Sequence, residues 1–289
     1  MLIMLLTGRD LLAVANEHNF AIPAFNVADY SMFNGLVALA EELHAPMIVA
    51  IHPNEVGILG EDVMPAIIQK VRKASVPMAI HLDHGATYEQ ILKAIQIGFT
   101  SVMIDASMLP FEQNVAITKS VVHAAHAVGV SVEGELGTIG KTDGYAEDGS
   151  DRIIYTNPAD AVSFVEQTGV YSLAIAICTC HGIYPADMTP ELKLYLLKEI
   201  KAAVHIQLVL HGGSNNPDAE IGESVNLGIN KINISSDIKV AYFAKLREVL
   251  EDKNLREPDT IDPPCQDAMK VVAAQKMDLF QTVGKASLY

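Results

Sequence analysis

The sequence predicts a single-domain α/β fold in which eight parallel strands close into a barrel. Short apolar runs rich in Val, Ile, Ala and Met recur along the chain, and segments with helical spacing lie between them. The length of 289 residues fits one such barrel, which needs about 250 residues. We therefore expect one domain over residues 1–289.

Eight apolar runs are candidate strands, and a candidate helix follows each of them. Strands that alternate with helices form parallel sheets, and eight such units close into the TIM (β/α)8 barrel. The predicted strands are Phe20–Val27, Pro46–Ile51, Pro77–Asp83, Thr100–Asp105, Ser131–Gly137, Ser172–Ile177, Gln207–Gly212 and Ile229–Ser235. The predicted helices are Tyr30–Leu43, Glu61–Lys73, Tyr88–Ile97, Phe111–Val128, Ala159–Gln167, Pro190–Lys201, Pro217–Leu227, Asp237–Glu251 and Gln266–Phe280.

Composition restricts the partners of the chain. A net charge of -15 argues against nucleic acid and against an anionic membrane, because both need a basic surface. No apolar run approaches the ~18 residues of a membrane span, and the apolar start Met1–Leu6 is shorter than the core of a signal peptide. Three cysteines make a poor disulfide framework, so we expect a cytoplasmic protein that acts on a small molecule. Since 50% of the residues are hydrophobic, we also expect burial at subunit contacts, in a homodimer or homotetramer.

One stretch, Val76–Gly85, carries a buried strand into a cluster of side chains that can bind metal and transfer protons. Alternation places His81 and Asp83 on one face, and His84 follows the last paired residue. Catalytic groups of parallel α/β folds lie at such strand ends. The polar segment Gly140–Asn157 has no periodicity, which predicts a mobile active-site loop.

Three histidines at predicted strand ends are each followed by glycine: His84, His181 and His211. Each alone is more often a hydrogen-bonding residue than a ligand, but together they suit zinc, which leaves a fourth position for substrate. The run His211-Gly-Gly-Ser214 is typical of a phosphate-binding loop, in which backbone amides and a hydroxyl point at anionic oxygens. A flexible turn is the alternative interpretation.

Five motifs follow one another along the chain: His81-x-Asp83-His84-Gly85, Val132-Glu-Gly-Glu135-Leu-Gly137, His181-Gly-Ile-Tyr184, Leu210-His-Gly-Gly-Ser214 and Lys231-Ile-Asn233. In this order they resemble the motifs of the class II zinc-dependent ketose-bisphosphate aldolases, and most of all those of their shorter branch with tagatose- and fructose-bisphosphate aldolases. The resemblance covers nearly the whole chain and implies a TIM-barrel lyase. Such an enzyme reversibly cleaves a ketose 1-phosphate or 1,6-bisphosphate into dihydroxyacetone phosphate and an aldehyde through a metal-stabilised enediolate.

Residue by residue, the resemblance implies roles around a catalytic Zn2+. The metal ligands are His84, His181 and His211, and Asp83 is the acid/base at the aldehyde oxygen. The positions that match substrate-binding residues are Asn26, Gly182, Gly213, Ser214, Asn233 and Ser236, while His52 stands where relatives often have a small hydroxyl residue.

The resemblance leaves two assignments open. Asp105 and Glu135 match an alternative metal site for a second divalent or a monovalent cation, or they orient the histidines. The carbon base of the family lies two residues beyond a Gly-Gly pair, and the matching stretch here is Gly140-Lys-Thr-Asp143, with an aspartate in place of glutamate. Asp143 is therefore the candidate base. Lys231 is not expected to form an imine with substrate.

The far end of the substrate and the reaction itself have alternatives. Relatives that cleave fructose bisphosphate carry an arginine ahead of the last helix, but this chain reads Glu257-Pro-Asp-Thr-Ile261, so Asp259 would repel a second phosphate. We expect a substrate with one phosphate. The alternative is that the loop is displaced and that another basic residue, such as Arg256 or one from a neighbouring subunit, replaces the missing arginine. The rival functions are a metal-dependent hydrolase, which the motifs fit poorly, and a non-catalytic sugar-phosphate sensor or partner subunit on an aldolase scaffold.

Overall fold

The computed structural model describes residues 4–138, 140–141, 153–177, 180–181 and 191–289, with the backbone alone at residues 140, 141, 180 and 181. The strands within these residues are β1 Ile22–Asn26, β2 Met47–Ile51, β3 Met78–Gly85, β4 Ser101–Ile104, β5 Ser131–Leu136, β6 Gly140–Lys141, β7 Ser172–Ile175, β8 Cys180–His181, β9 Gln207–Leu210 and β10 Ile229–Ile234.

The eight longer strands close into a parallel barrel in the order β1-β10-β9-β7-β5-β4-β3-β2, while β6 and β8 form a separate two-stranded sheet. The barrel confirms the predicted α/β TIM fold. The helices of the described residues are α1 Gly8–Glu17, α2 Tyr30–Glu42, α3 Pro53–Leu59, α4 Met64–Lys73, α5 Tyr88–Ile97, α6 Phe111–Ala127, α7 Pro158–Thr168, α8 Leu194–Ala203, α9 Asp218–Asn226, α10 Ser236–Val249 and α11 Pro258–Leu279.

Helix α1 closes the N-terminal end of the barrel and was not predicted. Thr7 caps it by accepting a hydrogen bond from the amide of Asp10 at 3.1 Å. Its buried residues Leu11 and Leu12 join a core of apolar strand residues, among them Ala24 and Ile48. The remaining apolar residues form a larger core between the strands and the surrounding helices. The lower part of the barrel is therefore apolar and closed.

Strand β3 continues two residues farther than expected. His81 pairs with Ser101 and Gly85 pairs with Ile104, so the register shifts between Leu82 and Gly85. This shift is a bulge, and His84 lies in it with a φ of 48°. A Cβ on Gly85 would lie 2.8 Å from the carbonyl oxygen of Met103, so only glycine fits there. The bulge turns Asp83 and His84 toward the same end of the barrel.

Two other helix predictions were wrong. Helix α3 was missed, although Pro53 at its first position and Glu55 at its third are the signals of a helix start. Helix α11 begins at Pro258 instead of Gln266, and Asp259 therefore lies exposed in its first turn. Within the described residues, no helix is long and apolar enough to cross a membrane.

Thr156 links the segment that begins at residue 153 to the barrel. It is 2% exposed, its hydroxyl donates to the carbonyl of Leu136, and it accepts from the amide of Ala176 at 2.7 Å. Thr138 and Ile154 form an antiparallel bridge beside it. One side chain thus joins the ends of β5 and β7 to the base of the predicted loop, whose residues 142–152 lie outside the described part of the chain.

We expect Thr156→Val to lower the free energy of unfolding by at least ~2 kcal/mol. The substitution leaves two buried backbone groups without partners, and each such group costs about 1–3 kcal/mol. Thr168→Val is the matched control, because the Thr168 hydroxyl donates only to the carbonyl of Phe164 inside α7. Urea unfolding should show a loss below ~1 kcal/mol for the control. Equal losses in the two variants would contradict the bridging role.

Candidate active site

Asp83 lies at the centre of the open, C-terminal end of the barrel and is 3% exposed. The side-chain amides of Asn26 and Asn233 donate to its two oxygens, each at 2.8 Å. Burial alone would raise the pKa of Asp83, but its electrostatic interactions with the nearby protonatable groups of His84, His211 and Lys231 hold it well below its usual range. Asp83 is therefore ionised, and the two amides hold its oxygens in place.

A carboxylate from the next strand fixes the ring of His84. The Nδ1 atom of His84 lies 3.0 Å from Oδ2 of Asp105, whose other oxygen accepts from the amide and hydroxyl of Ser107 at 3.1 and 2.7 Å. Burial opposes ionisation of Asp105, yet these hydrogen bonds hold its pKa below the usual value. An ionised carboxylate only accepts, so Nδ1 of His84 carries the proton and Nε2 carries the lone pair.

Glu133 fixes the ring of His211 in the same way. The Nε2 atom of His211 lies 2.9 Å from Oε1 of Glu133, and Nζ of Lys231 lies 2.9 and 2.8 Å from the two carboxylate oxygens. Burial by itself would raise the pKa of Glu133, but Lys231 and His211 lower it. Nε2 of His211 therefore carries the proton and Nδ1 carries the lone pair.

The two lone pairs face each other. Nε2 of His84 lies 2.9 Å from Nδ1 of His211, and burial lowers the pKa of His211, which favours its neutral form. Two neutral rings in these tautomers repel unless a proton or a cation lies between them. Ligand atoms of Asp83, His84 and His211 lie within 4.8 Å of one another. Imidazole nitrogens beside a carboxylate fit Zn2+.

Asp105 and Glu135 both lie beside His84. Ligand atoms of the three residues lie within 4.8 Å of one another, and Oε2 of Glu135 is 3.9 Å from Nδ1 of His84. Asp105 contacts the ring of His84, which agrees with the interpretation that the carboxylates orient the histidines. His84, Asp105 and Glu135 together also have the composition of a cation site, which agrees with the second interpretation. The geometry is compatible with both interpretations.

The Gly-Gly-Ser loop lies against the start of α10. The amide of Gly213 donates to the carbonyl of Asn233 at 3.2 Å, and a Cβ on Gly213 would lie 2.4 Å from Cγ2 of Ile232. The hydroxyl of Ser214 accepts from the amide of Asp237 at 3.4 Å. Ser236 is the first residue of α10, a helix of 14 residues. Gly213, Ser214 and Ser236 therefore lie near the N-terminus of this helix, where the dipole favours anions.

His52 lies at the same mouth as the N-cap of α3. Its Nδ1 accepts from the amide of Asn54 at 3.1 Å, and Glu55 accepts from the His52 amide at 3.1 Å. The ring centroids of His52 and His84 are 6.5 Å apart. Nζ of Lys239 lies 2.6 Å from Oε1 of Glu55, so α10 and α3 are joined beside this ring.

For three predicted site residues the side-chain positions are not described. Asp143 and Gly182 lie outside the described residues. For His181 the backbone is described, and β8 pairs it with Lys141 of β6. The segment that contains the third expected metal ligand thus runs beside the start of the predicted loop.

Sequence reasoning gave no role to Glu133 and Lys231, which lie one layer deeper in the barrel. The available signal was alternation, because Glu133 precedes Glu135 by two residues and Lys231 precedes Asn233 by two. His81 was expected to be a satisfied core residue, and this is confirmed. Its Nδ1 lies 2.8 Å from the hydroxyl of Ser101, and burial lowers its pKa to about 3.

Comparison with known proteins gives consistent matches over the whole chain. A sequence model of the family described as "Fructose-bisphosphate aldolase class-II" matches residues 6–285. A fructose-bisphosphate aldolase of Thermus caldophilus is 38% identical over 310 residues, which cover 98% of this chain and 100% of that protein. The crystal structure of the YdjI aldolase from Escherichia coli K12 matches with a TM-score of 0.87 and 36% identity, covering 98% of this chain and 100% of that one.

Proposed function

Because this chain belongs to the class II fructose-bisphosphate aldolase family and is an aldolase lyase, we propose that it uses Zn2+ to cleave a ketose 1-phosphate reversibly. The products are dihydroxyacetone phosphate and an aldehyde. The observation that supports this most strongly is the convergence of the lone pairs of His84 and His211 beside the ionised carboxylate of Asp83. This arrangement combines a metal-binding pair with a proton acceptor.

The residues that would hold Zn2+ are His84, His211 and His181. When bound, Zn2+ acts as a Lewis acid that stabilises negative charge on the carbonyl oxygen of the substrate, which is worth several kcal/mol. Asp105 and Glu135 are the proposed site of a second divalent or a monovalent cation. The two carboxylates keep His84 correctly oriented in either case.

Asp83 and Asp143 each carry out one of the two proton transfers, Asp83 at a substrate hydroxyl group and Asp143 at a substrate carbon atom. In the cleavage direction, ionised Asp83 takes the proton of the hydroxyl group next to the breaking carbon–carbon bond, and in synthesis it returns that proton. Asn26 and Asn233 hold its oxygens in place, and the carbonyl oxygen of the Asn233 side chain is buried without a hydrogen-bond partner among the described residues. A substrate hydroxyl would supply that partner. Asp143 is the proposed base for the carbon-bound proton.

One phosphate-binding site lies at the loop of Gly213 and Ser214, with Ser236 at the helix start and Gly182 as a further proposed contact. Near His52, Lys239 forms an ion pair with Glu55, which neutralises its charge. Lys239 would therefore attract a second phosphate only weakly, which supports a substrate with a single phosphate and a polar, uncharged tail. The cytoplasmic location and the homodimer or homotetramer stay predictions.

The metal dependence is tested by removal and return of the ion. Chelation should reduce cleavage by ~10³-fold or more, since several kcal/mol of charge stabilisation is lost, and Zn2+ should restore it. His84→Ala, His181→Ala and His211→Ala should lose both metal and activity, whereas His123→Ala, an exposed histidine of α6, should lose neither. Metal per chain and release of dihydroxyacetone phosphate are measured together. Full activity without metal would refute the proposal, and bound metal without turnover would favour the partner-subunit function.

The two proton transfers separate in two variants. Asp83→Ala should keep the metal and lose carbon–carbon cleavage by about 10²–10⁴-fold. Asp143→Ala should instead slow the exchange of the dihydroxyacetone phosphate C3 proton with deuterated solvent, which nuclear magnetic resonance follows directly. An unchanged exchange rate in Asp143→Ala would place the base elsewhere on the loop.

The number of phosphates on the substrate is tested by comparing kcat/KM between monophosphates and bisphosphates. We expect a higher kcat/KM for ketose 1-phosphates than for fructose or tagatose 1,6-bisphosphate. Gly213→Ala should lower kcat/KM for every phosphorylated substrate by at least about tenfold, since its Cβ has no room beside Ile232. Gly57→Ala is the control, because a Cβ there contacts nothing within 4 Å. A clear preference for either bisphosphate would refute the single-phosphate substrate.

A further inference from the structure

Beneath the proposed metal site, one carboxylate receives hydrogen bonds from two sides. Glu133 of β5 is 2% exposed and Lys231 of β10 is 1% exposed, and the ammonium group contacts both oxygens of the carboxylate. Oε1 of Glu133 also lies 2.9 Å from Nε2 of His211. The ammonium reaches His81 on its other side, at 3.4 Å. None of these contacts involves a substrate position.

Stability alone does not explain this ion pair. Removing two charges from water costs more than a buried pair usually returns, so apolar residues of similar size are often as stable. Imine chemistry does not explain it either, because the ammonium of Lys231 is held by Glu133 and His81 inside the barrel. The contact that leads toward the site is the hydrogen bond from His211 to Glu133.

We propose that Glu133, held in place by Lys231, is a positioning residue that fixes the ring rotation and the tautomer of His211. A carboxylate only accepts hydrogen bonds, so it selects the tautomer with the proton on Nε2 and directs the lone pair of Nδ1 at the metal position. Lys231 contacts both oxygens, which prevents rotation of the carboxylate away from His211. The inference rests on the proposed Zn2+ site and assigns a function to residues outside the ligand set.

The test measures Zn2+ affinity directly, by competition with a chelating dye, so that it does not depend on turnover. In Glu133→Leu combined with Lys231→Met, the charges and the acceptor disappear together, and the dissociation constant should rise about 10–100-fold. In Glu133→Gln combined with Lys231→Met, an uncharged acceptor remains, and the constant should lie between that of the double apolar variant and that of the wild type. The absorption spectrum of the Co2+-loaded protein should change in the same order, because the ligand field reports the orientation of His211.

Ser101→Ala is the matched control. Ser101 belongs to the same buried row of polar residues but contacts His81 rather than Glu133 or His211, so its Zn2+ affinity should equal that of the wild type. Urea unfolding of each metal-free variant shows whether the fold is kept. A dissociation constant within about twofold of the wild type in the Leu/Met variant would overturn the inference while the Zn2+ site stands. A wild-type protein without Zn2+ affinity would overturn the proposed function as well.

A second measurement is made on the wild type and does not depend on whether the Glu133 and Lys231 variants fold. In the Zn2+-loaded protein with ¹⁵N-labelled histidine, the ring signals of His211 are assigned by their absence in His211→Gln. We expect a proton on Nε2 and none on Nδ1. A proton on Nδ1 would overturn the inference, because Glu133 would then not select the tautomer.

Discussion

Polar side chains deep inside this barrel form hydrogen bonds mainly with one another, and the arrangement of the site follows from that constraint. Helix α1 and the small apolar residues above it close one end to water. The polar layer above must therefore pair internally, since a buried polar group without a partner costs several times the net value of a hydrogen bond. One chain of hydrogen bonds runs through Ser101, His81, Lys231, Glu133 and His211. A second joins His84 to Asp105, and the facing nitrogens of His84 and His211 lie between the two chains, at the proposed metal position.

These hydrogen bonds explain why the side chains at the mouth of the barrel are preorganised. Among the described residues, His84 and His211 each donate one ring nitrogen to a carboxylate on a rigid strand or at its end, so ring rotation and tautomer are set before any ligand arrives. The bulge at His84 adds the second requirement, because it brings two consecutive residues, Asp83 and His84, to the same mouth. The proton acceptor and the metal-binding pair can thus act on adjacent atoms of one substrate.

Some elements were predictable because their signal is local, and others were not. Each barrel strand is a short apolar run between turn residues, so the strands were found with their ends displaced by only a few residues. Helix α1 was missed because its apolar face packs against residues that are distant in sequence, at the N-terminal end of the barrel. The bulge of β3 was missed because it depends on the pairing of Gly85 with Ile104, which no local pattern indicates. The role of Glu133 was missed because its partners come from β9 and β10.

The amino-acid sequence by itself determined the alternation of strands and helices, and thereby which side chains stand at strand ends. It also determined the order of the motifs around Asp83, His84 and His211, since residue type and spacing along the chain carry that information. Only the tertiary structure decided which ring nitrogens face each other and which carboxylate holds each ring. The reason is physical: tautomer and ring orientation are set by hydrogen bonds across the closed barrel, between residues such as Glu133 and His211 that are separated by two or more strands in sequence.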